Sequence, residues 1–477
     1  MADVEIHSSK VDSSKDGLRL AGVRRQIVGI DAKVPLLNGR STTYINLDNA
    51  ASTPSLAPVL DTINNFMPWY SSVHRGTGFK SIVSTEAYED ARQTVADFFG
   101  ASNDDYVVVF GKNSTEALNK LSYRLALKKT DVVLVSLMEH HSNDLPWRGK
   151  ARIKRIGIDN QGRLDEEHFR KLIAKYGRQI RLVCVTGASN VTGQMPNIHK
   201  LARISHGVGA QILVDCAQLA AHRPVSVKNL TDPEHLDYIV ASAHKMYAPY
   251  GTGVLIGRRD TFEKGRPEYC GGGTIDLVTT DKVEWAGLPD RDEAGSPNVV
   301  GAVAFAAALK FLRKTGLANI ARHEAELTAY ALERLKTVPG IIIYGDNNPK
   351  NTANRLGVIA FNIEGLSHFL VAAILGTEWG IGVRNGCFCA HPYIAKLLRL
   401  KQKELNRMEE EVLHGNKSHM PGMVRMSLGI YNEHADVDRL VEALASISRR
   451  QYKGNYSQNK QTGEFRAAGW QPRVRFI

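Results

Sequence analysis

Cysteine is scarce in this chain of 477 residues, which has five: Cys184, Cys216, Cys270, Cys387 and Cys389. An odd number at irregular spacings excludes a disulfide framework, and the Cys387-x-Cys389 pair is not spaced like zinc ligands, so no metal is expected. Long apolar runs are missing too. None approaches the roughly 18 residues of a membrane span, and no membrane partner is expected. The opening stretch MADVEIHSSKVDSSKDGLRL has acidic residues and no apolar core of signal-peptide type, so the expected location is cytoplasmic. A G-x-x-x-x-G-K-[ST] loop is absent as well, which argues against an ordinary nucleoside-triphosphate site.

What is there is the composition of a soluble globular protein, 43% hydrophobic and 23% charged. The length implies two or more domains. The formal net charge is +12, and residues 449–477 supply half of it, with seven Lys/Arg against one Glu. Such a tail could meet nucleic acid or an acidic partner. A solvated or loosely docked terminus is the commoner case, and nucleic acid is not expected as a partner.

Residues 1–43 lack firm periodicity and read as an N-terminal extension. Over 44–300, short apolar runs (YINLD, YVVVF, DVVLVS, RLVCVTG, QILVDC, YIVASA, GVLIG) alternate with amphipathic stretches such as TEAYEDARQTVADFFG, STEALNKLSYRLALKK and NIHKLARISHGVG. Runs apolar on both faces suit parallel strands covered by helices, so this large domain is predicted to be α/β. Residues 301–448 read as a smaller α+β domain. It holds strand-like GIIIYG and RLGVIAFNI, helices over NIARHEAELTAYALERLKTV, 367–379 and ADVDRLVEALASISR, and a charged, helix-prone insert at 401–422. A basic tail, 449–477, closes the chain.

Several sites carry chemistry. In YIVASAHKMYAPYG a buried strand delivers Lys245 to its mouth, where a lysine either snorkels to water or is held in a site. In ILVDCAQ the preceding strand ends on Asp215, where α/β sheets place ligands. Lysine for a Schiff base and a carboxylate for a pyridinium nitrogen are what pyridoxal phosphate requires; a structural Asp–Lys ion pair is the equal alternative from two residues alone. Ser114 and Thr115 stand where a helix opens, which suits a phosphate or a simple N-cap. His140 and His141 in MEHHSNDLPW could stack on a flat cofactor or move a proton. In GVRNGCFCAHP, Arg384 lies beside Cys387 and Cys389, and a cation favours the thiolate of a nearby cysteine. Arg425 in MVRMSLGIYN has the fork that clamps a carboxylate.

Taken together these motifs, in order with YINLDNAASTP, SSVHRGTGFKSIVSTEAYEDAR, ASNVTGQ, EAGSPN and VRMSLGIYNEHADVDRL, resemble the class V aminotransferase superfamily over roughly residues 44–448. The resemblance is closest to the type II (Suf-type) cysteine desulfurases and selenocysteine lyases. It implies the type I fold of pyridoxal-phosphate enzymes, a large, mostly parallel-sheet cofactor domain with a smaller α+β domain. It also implies pyridoxal 5'-phosphate as cofactor, L-cysteine or a related thiol amino acid as substrate, and a sulfur-acceptor protein as partner. By position, Lys245 matches the Schiff-base lysine, Asp215 the partner of the ring nitrogen, and His140 the ring-stacking histidine and proton carrier. Gln218 and Asn190 match groups around the phenolic oxygen and the substrate. Thr115, Ser242 and His244, with Ser114 at the helix opening, match the phosphate cradle. Ser296 matches a residue supplied by a neighbouring subunit, which implies a homodimer. Arg425, with Arg384, matches the carboxylate clamp, and Cys389 the sulfur-accepting cysteine.

The chain departs from that pattern in places. Cys387 and Phe388 replace the histidines usual before the accepting cysteine, Gly187 replaces the histidine before x-S-N, and the insert lengthens the gap from Cys389 to Arg425. GCFC is also similar to the molybdenum-cofactor sulfurases. The alternative is another class V reaction, a C–S or C–Se lyase, epimerase or aminotransferase.

Overall fold

A period of two in burial builds the centre of the molecule. Along the strand Tyr106–Gly111, Tyr106, Val108 and Phe110 face one apolar cluster, and Val107 and Val109 face another. Both faces are therefore apolar, and both are covered by helices. The computed structural model describes residues 20–74 and 76–471. Its large sheet has seven strands: β1 (Tyr106–Gly111), β2 (Val132–Ser136), β3 (Arg152–Ile156), β4 (Ile180–Thr186), β5 (Gln211–Asp215), β6 (Tyr238–Ser242) and β7 (Gly253–Arg258). They lie in the order β1-β7-β6-β5-β4-β2-β3. All run one way except β7, which is antiparallel to both its neighbours. Helices Phe79–Phe99 and Val299–Thr315 pack on the first face, and Ser114–Arg124 on the second.

A second, four-stranded antiparallel sheet comprises β8 (Ile341–Tyr344), β9 (Val358–Ile363), β10 (Arg384–Gly386) and β11 (Met423–Ser427), in the order β8-β9-β11-β10. Helices Leu317–Leu335, His368–Trp379 and His434–Ser448 share its separate core. The predicted architecture, a mostly parallel α/β sheet beside a smaller α+β unit, is the one observed.

Local differences from expectation have physical causes. YINLD does not join the large sheet; Ile45–Asn46 pairs with Ile381–Gly382 instead. The edge strand β3 escapes notice in the sequence because three of its five residues, RIKRI, are charged and only Ile156 is buried. The helix Val299–Thr315 runs past residue 300 and stays in the large-sheet core through Ala304, Phe305 and Leu309. Part of the N-terminal extension is ordered: Lys33–Pro35 pairs with Ser41–Thr43, and the Leu37 N–H donates to Thr377 O at 2.8 Å. Residues 1–19 lie outside the described residues. The tail is docked rather than solvated: Tyr456–Gln458 pairs with Phe465–Ala467, and Tyr456 donates to Glu378 at 2.9 Å. Residues 472–477, with Arg473, Arg475 and Phe476, are outside the description. Among the described residues no helix is long and apolar enough to cross a membrane.

Candidate active site

Five of the large-sheet strands point their C-terminal ends at one cleft of about 480 Å³, where α/β sheets place ligands. Strand β1 leads through Asn113 into Ser114 and Thr115. Asn113 caps that helix, accepting the Glu116 N–H at 3.0 Å, so neither hydroxyl is needed as the cap. Ser242, at the end of β6, accepts the Ser114 N–H at 2.8 Å and donates to the Ser114 hydroxyl at 2.8 Å. Thr115 and Ser142 share a hydroxyl hydrogen bond of 2.7 Å, which ties this corner to the His140 loop.

His140 accepts the Ser142 N–H on Nδ1 at 3.1 Å, so a neutral ring carries its proton on Nε2. Burial, then the nearby Lys245, His141 and Arg425, lowers its pKa to about 4. His244 is lowered to about 4 by the same causes, burial first and Lys245 second. Its carbonyl accepts from Thr53 N at 2.9 Å and Thr53 Oγ1 at 3.0 Å, so the DNAASTP loop, whose Ala50 and Ala51 line the cleft, is tied to the backbone next to Lys245.

Asp215 and Lys245 face each other electrostatically across the cleft. Asp215 is buried, and its carboxylate accepts one hydrogen bond, from the Ala217 N–H at 2.9 Å. Burial raises its pKa, while the Ala217 bond and Lys245 oppose the rise. Lys245 Nζ makes no hydrogen bond or ion pair among the described residues. Burial lowers its pKa; Asp215 opposes that and Arg425 adds to it. Both therefore have bonding capacity that a ligand would complete. Gln218 donates to Ala50 O at 2.7 Å, and Asn190 donates to Phe388 O at 2.7 Å.

At the small-sheet side Arg425, 3% exposed, donates to Asn190 O at 3.0 Å and to Asp48 at 2.9 Å, with its guanidinium 4.9 Å from the Phe388 ring centroid. Its Nε has no partner among the described residues. Burial lowers its pKa from the usual arginine value. Arg384, half exposed, reaches the other Asp48 oxygen at 3.4 Å. Two guanidinium groups share one carboxylate, which leaves positive charge for an anion.

Cys389 lines the same cleft and is exposed; Cys387 is half buried. The Cys387 thiol donates to Pro421 O at 3.0 Å, and burial, with Cys389 adding, pushes its pKa up to about 11. Cys387 is thus kept as a thiol. The turn between them is strained: Phe388 and Cys389 have φ of 50° and 53°, a region costing non-glycine residues about 1 kcal/mol each. Asn190 and the Arg425–Phe388 contact hold it.

Twelve of the expected site residues line this one cleft: Ser114, Thr115, His140, Asn190, Asp215, Gln218, Ser242, His244, Lys245, Arg384, Cys389 and Arg425. Ser296 is not among them; it is exposed and lines a separate hollow of about 230 Å³. At Gly187 a Cβ would lie 2.8 Å from Leu219 Cδ2, so any side chain there displaces Leu219. Asp48 and Glu139 went unread in the sequence. Glu139 is buried beside His140 and accepts from Thr186 N at 2.7 Å, Asn143 Nδ2 at 2.6 Å and Ser136 Oγ. Burial drives its pKa up to about 8 against those three bonds. An acidic residue directly before the histidine pair was the available signal.

The model of the family "Aminotransferase class-V" matches residues 45–440. The chain belongs to the class-V aminotransferase family. Among members of this family, it is 35% identical to the cysteine desulfurase of Haloferax volcanii over 427 residues, covering 87% of this chain and 92% of that one. Its fold matches the apo cysteine desulfurase of Thermococcus onnurineus NA1 with a TM-score of 0.75 at 31% identity, over 92% of this chain and 99% of that one. The cysteine desulfurase CsdA of Escherichia coli, solved as an S-sulfonic acid, matches with a TM-score of 0.74 at 26% identity, over 92% of this chain and all (100%) of that one.

Proposed function

We propose that this class-V family member is a pyridoxal 5'-phosphate-dependent cysteine desulfurase, converting L-cysteine to L-alanine and holding the sulfur as a persulfide on Cys389. The observation that carries this reading is an exposed thiol on the rim of the cleft that also contains Lys245, Asp215 and Arg425.

The residues present fit the cofactor, because a buried carboxylate with one hydrogen bond and a lysine amine with none among the described residues are the groups it needs. Lys245 would hold it covalently through Nζ, Asp215 would pair with its ring nitrogen, and the His140 ring would lie against it. Ser114, Thr115, Ser242 and His244 would receive its phosphate, and Gln218 and Asn190 its phenolic oxygen. When bound, pyridoxal phosphate supplies the electron sink that labilises bonds at the substrate's α-carbon and then the Cβ–S bond. Arg425, helped by Arg384, clamps the substrate carboxylate. Lys245, its proton loosened by burial, moves the α-proton at Nζ. The Cys389 thiolate attacks the substrate sulfur; the S–S bond forms as the Cβ–S bond breaks, so L-cysteine plus Cys389–SH gives L-alanine plus Cys389–S–SH.

A large unit that includes the helix Val299–Thr315 and a small unit starting at the helix Leu317–Leu335 is the division supported by the two separate cores. Exposed Ser296, outside its own cleft, fits a homodimer in which it serves the other copy's site. A sulfur-acceptor protein would take the persulfide beside the 401–422 segment. The test is a single-turnover reaction with L-cysteine in Cys389→Ala: alanine formation at the native rate would refute the persulfide step and favour another class-V reaction.

A further inference from the structure

One contact beside Cys389 has no part in holding cofactor or substrate. The rings of His141 and His391 stack 8° from parallel with centroids 4.8 Å apart. His391 Nδ1 lies 3.0 Å from His141 Nε2, and the His391 backbone N–H donates to the same nitrogen at 3.2 Å. The His141 N–H donates to Cys389 O at 2.7 Å. His141 thus grips the chain on both sides of Ala390, with its backbone on Cys389 and its side chain on His391. Phe388 and Cys389 sit in left-handed backbone, a conformation that persists only when its surroundings impose it.

We propose that His141 and His391 form a latch that holds the Cys389 turn over the cleft, making both of them positioning residues for the accepting thiol; this rests on the reading of Cys389 as sulfur acceptor. The latch needs a lone pair on His141 Nε2, so His141 is neutral with its proton on Nδ1, and His391 carries its own on Nδ1. Desolvation lowers both pKa values, and the groups facing His141 are His391, Asp144, Arg148 and the neighbouring His140. The latch touches neither Lys245, Asp215 nor Arg425. Its loss therefore displaces the thiol and spares cofactor and substrate binding.

Two variants of the full chain, loaded with pyridoxal phosphate, separate the parts of the contact. His391→Phe keeps a ring without a donor, and His391→Asn keeps a donor near the Nδ1 position without the ring. In His391→Phe, kcat for alanine is expected to fall about tenfold. KM for cysteine should stay within about twofold, visible absorbance should be retained, and Cys389 should react faster with iodoacetamide. His391→Asn should recover most of kcat. If the Phe side chain prevents folding, His391→Ala repeats the test. Native kcat and alkylation rate in these variants, where Cys389→Ala abolishes alanine formation, would overturn the latch. A greater loss in the Asn variant than in the Phe variant would contradict it too, since the ring rather than the donor would then hold the turn. If Cys389→Ala turns over normally the acceptor reading fails instead, and the alkylation rate alone decides the latch.

Discussion

Burial lowers the pKa of both Lys245 and Arg425, but of the two only the lysine can give up its proton in the working range of an enzyme. In the proposed mechanism Lys245 is therefore the base and covalent anchor, and Arg425 a permanent charge. Lys245→Ala is expected to purify without the visible absorbance of the loaded enzyme and to make no alanine from cysteine; a coloured Lys245→Ala protein would contradict the assignment. Arg425→Ala should raise KM for cysteine on the order of 10- to 100-fold, the worth of a charge-assisted pair to a carboxylate. A steady-state comparison with Arg384→Ala, whose half-exposed guanidinium should matter less, checks this. Lys245, Asp215 and Cys389 were legible as residues because strand ends and turns expose reactive groups in fixed order. Asp48 and Glu139 were not, since a single acidic letter carries no sign of the arginine or backbone N–H it will meet in space.

Strands β5 and β6 carry Asp215 and Lys245 at their C-terminal ends, and Asp237 fixes them at the other end. Its carboxylate accepts the Ile212 N–H at 2.8 Å, His206 Nε2 lies 2.9 Å away, and Arg258 of β7 donates at 3.2 Å. Hydrogen bonds from His206, His235 and the Ile212 N–H hold the Asp237 pKa well below the usual carboxylate value despite burial. Asp237→Asn is expected to cost roughly 3 kcal/mol in urea unfolding, the penalty for breaking a buried charge network. A loss under about 0.5 kcal/mol would place the pairing of β5 and β6 elsewhere. The helix Gln402–Leu413 is the opposite kind of element: none of its side chains is buried. The 401–422 stretch looked inserted because it was polar almost all round, and that reading of the helix follows from pattern alone. What pattern could not give was the antiparallel run of β7 or the tail hairpin, because direction and docking depend on partners distant in sequence.

At the scale of the molecule, the small unit is tied to the large one by Glu324. It pairs with His222 at 3.0 Å and Arg223 at 2.5 Å, and accepts the Gly357 N–H at 2.8 Å. These bonds outweigh burial and lower its pKa to about 2 from the usual 4.5. A depressed carboxylate contributes stability above its unfolded pKa and loses it as pH falls toward the folded value. The contribution, on the order of 3 kcal/mol, should thus be complete near pH 6 and fade below about pH 4.5. Urea midpoints across that range should fall more steeply in the native chain than in Glu324→Gln; parallel curves would refute the tie. The two-sheet architecture was readable because alternating buried runs and amphipathic helices specify it locally. The cleft was readable only as scattered motifs, since what brings β1, β4, β5 and β11 to one place is tertiary pairing. Passage of sulfur from cysteine to Cys389 can be read by incubating the pyridoxal-phosphate-loaded chain with L-cysteine without reductant, quantifying alanine and then analysing the Cys389 peptide by mass spectrometry. One alanine per chain in the first turnover and one added sulfur atom on Cys389 are expected. Alanine formed with Cys389 unmodified, and sulfide free in solution from the first turnover, would contradict it.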